Sequence, residues 1–263
     1  MKATLTLFLS SLITQLSLTL ARPTFQITVL AQPIVLATIS YMILQHSGKS
    51  NDSFTFAVLG SGIAGIWASM VYSSAGDINR ERSYGTLSSI LGAPSSLLTV
   101  MLGKVAANGL LSLLAFAVSI LYSAIVLHVA PRFPHAGAFV VAFALFVLGA
   151  NLFALTLSSI FLLSRGTTVL QNFLEYPIMI VSGLFFSVQT LPQWAHPLGW
   201  PVPLTWGAIL LRSTMMHSNW NTAAARTALG IEAVLICFYL ALATILFHRI
   251  EYRVRITATL DVY

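Results

Sequence analysis

The chain has 263 residues, of which 57% are hydrophobic and 8% are charged. Because an ordinary soluble domain is about 25% charged, this composition excludes a soluble fold and predicts an integral membrane protein. The net charge of +6 comes from basic residues scattered singly along the chain, which argues against a nucleic-acid-binding protein.

Residues 1–22 have the pattern of an amphipathic helix. Seven apolar residues recur at the spacing of one helix face, and most of the polar residues fall on the other face. The apolar residues are Leu5, Phe8, Leu9, Leu12, Ile13, Leu16 and Leu20. A lysine followed by an apolar stretch is also typical of a cleaved signal peptide. A signal peptide does not need a polar face, so we favour a helix that lies in the membrane interface.

Six apolar segments are long enough to cross a bilayer, which needs about 20 residues of helix. They cover residues 24–46, 54–75, 98–127, 137–163, 167–188 and 228–248. The segments are continuously apolar rather than alternating, so they predict helices and not barrel strands. The sequence therefore predicts an all-α integral membrane protein with six transmembrane helices, in which residues 1–263 form a single transmembrane domain.

The second apolar segment contains small residues four positions apart. Gly60 pairs in this way with Ala64, and Ser61 with Gly65. Such spacing lets two helices approach closely, either within one chain or between two copies in a dimer.

The joint at residues 77–96 gathers charge in a chain that otherwise has little. Four charged residues fall within six positions, and an apolar stripe at helical spacing follows them. These residues are Asp77, Arg80, Glu81 and Arg82, then Tyr84, Leu87 and Leu91. Gly85 permits a sharp change of direction within this joint. The pattern indicates either a solvated turn or a short helix that docks in a groove of another protein.

Glu175 lies about two turns inside the predicted fifth span. A carboxylate within a membrane is costly and marks a functional site by default, so Glu175 and Asn172, one turn away, are candidates for a translocation pathway. The alternative is a structural Glu175 that is protonated or is paired internally, with Asn172 as its partner. For Asn151 in the fourth span we expect an inter-helix hydrogen bond, and for Glu232 in the sixth we expect solvation at the interface.

The joint at residues 189–227 is the longest in the chain. It contains four prolines and four tryptophans, namely Pro192, Pro197, Pro201 and Pro203, and Trp194, Trp200, Trp206 and Trp220. Proline interrupts a helix, and tryptophan favours the membrane interface. The joint is therefore predicted to form a short outer re-entrant helical segment followed by a polar loop.

The distribution of Lys and Arg predicts the orientation, because cytoplasmic joints carry an excess of these residues. With the N-terminus inside, nine basic residues fall on the inside and four on the outside. The inside residues are Lys2, Arg22, Arg80, Arg82, Lys104, Arg165, Arg249, Arg253 and Arg255, and the outside residues are Lys49, Arg132, Arg212 and Arg226. Both termini and the joint at residues 77–96 are thus predicted to be cytoplasmic, in a protein of the cell membrane.

Two blocks of sequence resemble the ABC type-2 permease family. The first, ERSYGTLSSILGAPSSLLTVMLGK, resembles the cytoplasmic loop of that family through Glu81, Arg82, Gly85, Thr86, Leu87, Pro94, Gly103 and Lys104. The second, residues 182–212, resembles its fifth span and outer segment through Ser182, Gly183, Pro192, Trp194, Pro203, Leu204, Thr205 and Arg212. The first block departs from the pattern at Ser83, where the family often has a second acidic residue.

The resemblance implies the membrane subunit of an ATP-driven exporter, surrounded by membrane lipids and paired with a second copy or a paralogue. A separate ABC ATPase would bind ATP and magnesium and act on a cytoplasmic coupling helix. The residues implied to contact it are Asp77, Arg80, Glu81, Arg82, Tyr84, Gly85, Thr86 and Leu87. This chain lacks a phosphate-binding loop of its own, because Ile43 replaces the first glycine before Gly48-Lys49-Ser50, and Val105 follows Gly103-Lys104.

Two other functions stay open, an intramembrane lipid-modifying enzyme and a non-transporting membrane scaffold on the same fold. An enzyme of that kind would need clustered His, Asp or Glu inside the membrane, and only Glu175 lies deep in a predicted span. We therefore predict no catalytic residue, no metal site and no cofactor in this chain. The substrate is not specified, since drugs, antibiotics, lipids and glycans are all moved by the family.

Overall fold

The computed structural model of the chain describes residues 2–46, 59–70, 84–85, 96–129, 133–163, 167–184, 188, 191–216 and 220–257. These residues are helical or form turns, and no strand occurs among them. The helices are α1 (Lys2–Leu20), α2 (Pro23–His46), α3 (Leu59–Met70), α4 (Leu97–Ile125), α5 (Ala136–Leu163), α6 (Thr167–Val181), a 3-10 turn (Gln193–Ala195), α7 (His196–Gly199), α8 (Pro203–Met216) and α9 (Ala223–Thr257). The prediction of an all-α membrane protein is confirmed.

Each of the six predicted apolar segments contains a helix or the larger part of one, from α2 to α6 and α9. Within the described residues, four helices are long and apolar enough to cross a membrane, over Phe25–Met42, Leu97–Ile125, Ala136–Ile160 and Ala223–Tyr252. The described part of α3 and the 15-residue α6 are shorter. The count of six spans therefore stays a prediction.

The described part of α3 lies at the centre of the bundle, and all of its residues are buried. Trp67 of α3 stacks on Phe153 of α5, with ring centroids 5.5 Å apart. Tyr239 of α9 meets the same Phe153 edge to face at 5.1 Å. These aromatic contacts bury a large apolar area and fix α3, α5 and α9 against one another.

The small residues of α3 serve packing within the chain. A Cβ atom at Gly65 would lie 3.1 Å from the ring of Pro33 in α2, and one at Gly62 would lie 2.7 Å from the ring of Phe116 in α4. The hydroxyls of Ser61 and Ser119 are 3.1 Å apart, so α3 and α4 also share a hydrogen bond. Of the two uses that the sequence allowed, the structure shows close approach inside one chain.

Only part of the polar side of α1 faces α4, and Ser10, Thr14 and Ser17 are exposed. Gln15 is buried, and its Nε2 donates to Thr19 Oγ1 at 3.0 Å and to Asn108 Oδ1 of α4 at 3.1 Å. A Cβ atom at Gly103 would lie 2.8 Å from the carbonyl oxygen of Phe8, so glycine lets α4 approach the α1 backbone. The predicted apolar side is divided, with Leu5, Leu9, Ile13 and Leu20 exposed and Phe8, Leu12 and Leu16 half-buried. The helix is present as expected, and its location in the membrane interface stays a prediction.

Candidate functional site

Glu175 connects α6 to α2 in the interior of the bundle. Its side chain is 1% exposed, and its Oε1 accepts a hydrogen bond from Gln32 Nε2 at 3.4 Å. That distance is long for an N–H···O bond, so the contact is weak. The second oxygen, Oε2, is buried and has no hydrogen-bond partner in the described part of the chain.

A buried carboxyl group with one unsatisfied oxygen can bind a donor or a cation that enters the bundle. Asn172 lies in the same helix, but its side chain lies outside the described residues, so the expected pairing with Glu175 is not tested. The sequence analysis missed Gln32. The signal was available, because Gln32 is a polar residue within the apolar run of the first predicted span.

The opposite side of α6 carries an exposed apolar stripe. Its members are spaced by three or four residues, as one helix face requires. They are Val169, Phe173, Tyr176 and Ile180. α6 thus has a buried side that contains Glu175 and an apolar side that is largely exposed.

Arg212 holds the turn that ends α6. Its side chain is 7% exposed, and Nη1 and Nη2 donate to the carbonyl oxygens of Gly183 and Leu184 at 2.8 and 2.6 Å. Gly183 has φ +64, a left-handed conformation that ends helices and favours glycine. These two carbonyls follow the last residue of α6 and are buried, and a buried carbonyl needs a hydrogen-bond donor, which the guanidinium supplies.

The same turn also contacts the short helices of the outer segment. A Cβ atom at Gly199 would lie 2.9 Å from the carbonyl oxygen of Val181, so glycine permits α7 to touch the end of α6. The hydroxyl of Thr205 donates to the Gly199 carbonyl at 2.9 Å. Residues of the second sequence block that are far apart in the chain therefore form one cluster. Re-entry of this segment into the membrane stays a prediction.

Arg212 was counted among the outside basic residues, and the structure gives it a different role. Its charge is buried and bound to backbone carbonyls, so it does not act as a solvated residue at a membrane surface. Removing Arg212 from the outside count strengthens the excess of basic residues on the inside and leaves the predicted orientation unchanged.

Two expectations for intramembrane polar residues are wrong. Glu232 is fully buried, not solvated, because Gly149 of α5 has no side chain and leaves room for the carboxyl group. Asn151 packs against Gly109 of α4, but its Nδ2 donates to the carbonyl of Val147 in its own helix at 2.8 Å. No inter-helix hydrogen bond to Asn151 occurs within the described ranges.

Of the eight residues predicted to contact the ATPase, the structure describes two, Tyr84 and Gly85. Tyr84 is 76% exposed, and Gly85 forms a turn with φ +70, in agreement with the sharp turn expected there. The other six, Asp77, Arg80, Glu81, Arg82, Thr86 and Leu87, lie outside the described residues.

The helix that follows this region is fixed at its start by α9. The backbone N–H of Leu97 donates to Glu251 Oε2 at 3.3 Å. An N-terminal N–H of a helix has no intrahelical partner, and a carboxylate there is favourable. The contact joins the beginning of α4 to the last turns of α9.

An all-helical bundle with several helices able to span a bilayer defines a multi-pass membrane protein. The sequence matches the family of the ABC-2 type transporter over residues 6–216. The match includes both sequence blocks, and the chain belongs to this family. Among curated proteins, none matches the chain. The protein is therefore a permease of an ABC-type transporter.

Proposed function

We propose that this permease moves its substrate out of the cell by alternating access, driven by a separate ATPase that binds ATP and magnesium. The observation that carries the proposal is the family match over residues 6–216, which includes the charged joint at residues 77–96. The exposed side chain of Tyr84 and the turn at Gly85 support a contact with a partner protein at this joint. In this arrangement the permease itself performs no chemical step.

The contact between Leu97 and Glu251 supports a route for the motion. A force applied to the joint before α4 reaches the start of that helix, where the Leu97 N–H is bound to Glu251 of α9. Packed helices move as rigid elements, so α4 and α9 would shift together when the ATPase closes. We propose that this coupled shift changes access to the bundle interior.

We propose that Glu175 and Asn172 line the pathway, with Gln32 as a third member. The buried Glu175 carboxyl and its unsatisfied oxygen support this assignment. We further propose that the permease works as a dimer with a second copy or a paralogue. The apolar stripe of α6 supports an interface there, because exposed apolar surface on one helix face suits a partner helix.

Purification of the tagged protein from its own cells tests the proposed function. We expect an ATPase with a phosphate-binding loop to purify with it, and the ATPase rate of the complex to rise with transported compounds. Inside-out vesicles should then accumulate such a compound when ATP is added, which establishes export. If no ATPase purifies with the chain and ATP has no effect in vesicles, a scaffold function replaces transport.

We predict that Ser50 and Thr222 lie outside the cell and Ser88 inside. The test replaces Cys237, the single cysteine of the chain, with serine and introduces one cysteine at each position in turn. A thiol reagent that does not cross membranes should label Cys at positions 50 and 222 in intact cells. Labelling at position 88 under the same conditions would reverse the proposed orientation.

Glu175→Gln is expected to alter transport and not assembly. The substitution keeps the shape and removes the possible charge, so the rate or the substrate range should change, by about fivefold for an interaction of roughly 1 kcal/mol. The comparison variant is Glu232→Gln, the same change at a second buried carboxyl, and an effect of Glu175→Gln alone would assign the pathway to Glu175. Export assays on equal amounts of folded protein provide the measurement. Unchanged rate and range would make Glu175 a structural residue.

A further inference from the structure

A cavity of about 440 Å³ opens at the end of the bundle where α5 and α9 begin and α8 ends. Its deepest lining residues include Ala142, Leu210 and Leu229, each six residues in from the end of its helix. With a rise of 1.5 Å per residue, the cavity reaches about 9 Å into the bundle. This size and depth are typical of a site for a small ligand or one chain of an amphiphile.

The lining changes from polar to apolar with depth. His135 and Trp220 lie at the mouth, outside the ends of α5 and α9, and tryptophan prefers the level of the lipid headgroups. Thr214 lies two residues inside the end of α8, and its hydroxyl already donates to the Leu211 carbonyl at 2.7 Å. No carboxylate, lysine or arginine lines the cavity among the described residues.

One wall is closed and the other is open. Ala142 and Leu210 are buried and form the wall on the bundle side. Val141 and Leu229 are 58% and 40% exposed, on the side where α5 and α9 face their surroundings. Both helices are long and apolar enough to span a membrane, so in a bilayer the open side of the cavity would face lipid.

We propose that this cavity binds one acyl chain of a membrane lipid, with the headgroup beside His135 and Trp220. Water would need two to four polar partners to occupy the apolar part, which that part does not offer. An alkyl chain fills it without a desolvation cost and enters sideways from the bilayer. Glu175 does not line the site, and the proposal does not depend on the direction of transport.

Photolabelling of the whole protein tests the proposal. The protein is placed in lipid nanodiscs that contain a phosphatidylcholine with a diazirine in one acyl chain, and the adducts are located by mass spectrometry. We expect the cavity residues to carry about five times the adducts found at Val234 and Phe238, which are exposed on α9 outside the cavity. Equal labelling of the cavity and of the exposed surface of α9 would mean that the lipid only surrounds the protein, and it would overturn the proposal.

Filling the cavity provides the second arm of the test. A Cβ atom at Gly137 meets no atom within 4 Å, so Gly137→Leu adds volume in the cavity without displacing the backbone. The matched control is Gly230→Leu, where the space is equally open but the residue does not line the cavity. We expect Gly137→Leu to remove most of the excess labelling and Gly230→Leu to leave it unchanged.

Val141→Trp is a second variant that fills the same cavity, and it starts from an exposed position. It replaces Gly137→Leu in the test if that variant does not fold. Thermal melting of each variant shows which of them are folded. Excess labelling that survives in every folded filling variant would overturn the proposal. Crosslinks from a benzophenone at position 141 to another protein chain, in place of lipid, would also overturn it, since a protein partner would then occupy the cavity.

Discussion

Arg212→Ala is expected to lower the yield of folded protein and the stability of what remains. The substitution removes two buried, charge-assisted hydrogen bonds and leaves the carbonyls of Gly183 and Leu184 without donors. Hydrogen bonds to a charged group contribute about 1.5–3 kcal/mol each, so the loss is roughly 3 kcal/mol or more. For a chain of this size, that corresponds to a fall in melting temperature of about 6–12 °C.

The matched control for this prediction is Arg226→Ala, because Arg226 is an exposed arginine on α9. Arg212→Lys keeps the charge, but a lysine lacks the planar fork that binds two carbonyls at once, so we expect an intermediate loss. The measurement is the fraction of monodisperse protein after heating a detergent extract. If the Arg212→Ala variant has the same melting temperature as the wild-type protein, the turn after α6 does not depend on this side chain.

Leu87→Asp is expected to abolish coupling to the ATPase while the protein still inserts. The residue lies outside the predicted spans and outside the described residues, so the prediction depends on the sequence pattern alone. An apolar anchor at an interface contributes more than about 1 kcal/mol when it is a hot spot, and an aspartate there adds a desolvation cost. ATPase co-purification and substrate-stimulated hydrolysis should both fall sharply.

Glu81→Ala tests the charged part of the same joint. Loss of a desolvated interfacial charge costs about 2–5 kcal/mol, whereas loss of a charge at the rim costs much less. Lys49→Ala is the control, because Lys49 is predicted to lie on the opposite side of the membrane. Wild-type export by a normally inserted Leu87→Asp variant would show that residues 77–94 form only a solvated turn.

The positions of the helices could be predicted from the sequence because long apolar runs have few alternatives to helix in a membrane. The hydrogen-bond partners of the buried polar residues could not be predicted in this way. Gln32 meets Glu175 across 143 positions of sequence, and that contact depends on how α2 packs on α6. Arg212 was recognised as part of a motif, but its binding to Gly183 and Leu184 depends on the return of α8 toward the end of α6.

The orientation of α1 shows a second limit. Helical spacing identifies two sides of α1, but it cannot tell which side faces protein when the surroundings are lipid. Gln15 is bonded to Asn108 of α4, whereas Leu5 and Ile13 on one side and Thr14 and Ser17 on the other are exposed. A rule that places apolar residues inside applies to water-soluble helices, and in a bilayer an apolar side can equally face outward.

The hydrogen bond between Gln15 and Asn108 has a consequence for biosynthesis. Its two residues are 93 positions apart, and a ribosome that adds 5–20 residues per second needs roughly 5–20 s to supply the second after the first. During that interval the amide of Gln15 has no α4 to bind and must remain hydrated. The newly synthesised α1 would therefore remain at the membrane surface and pack against α4 only after α4 has been inserted.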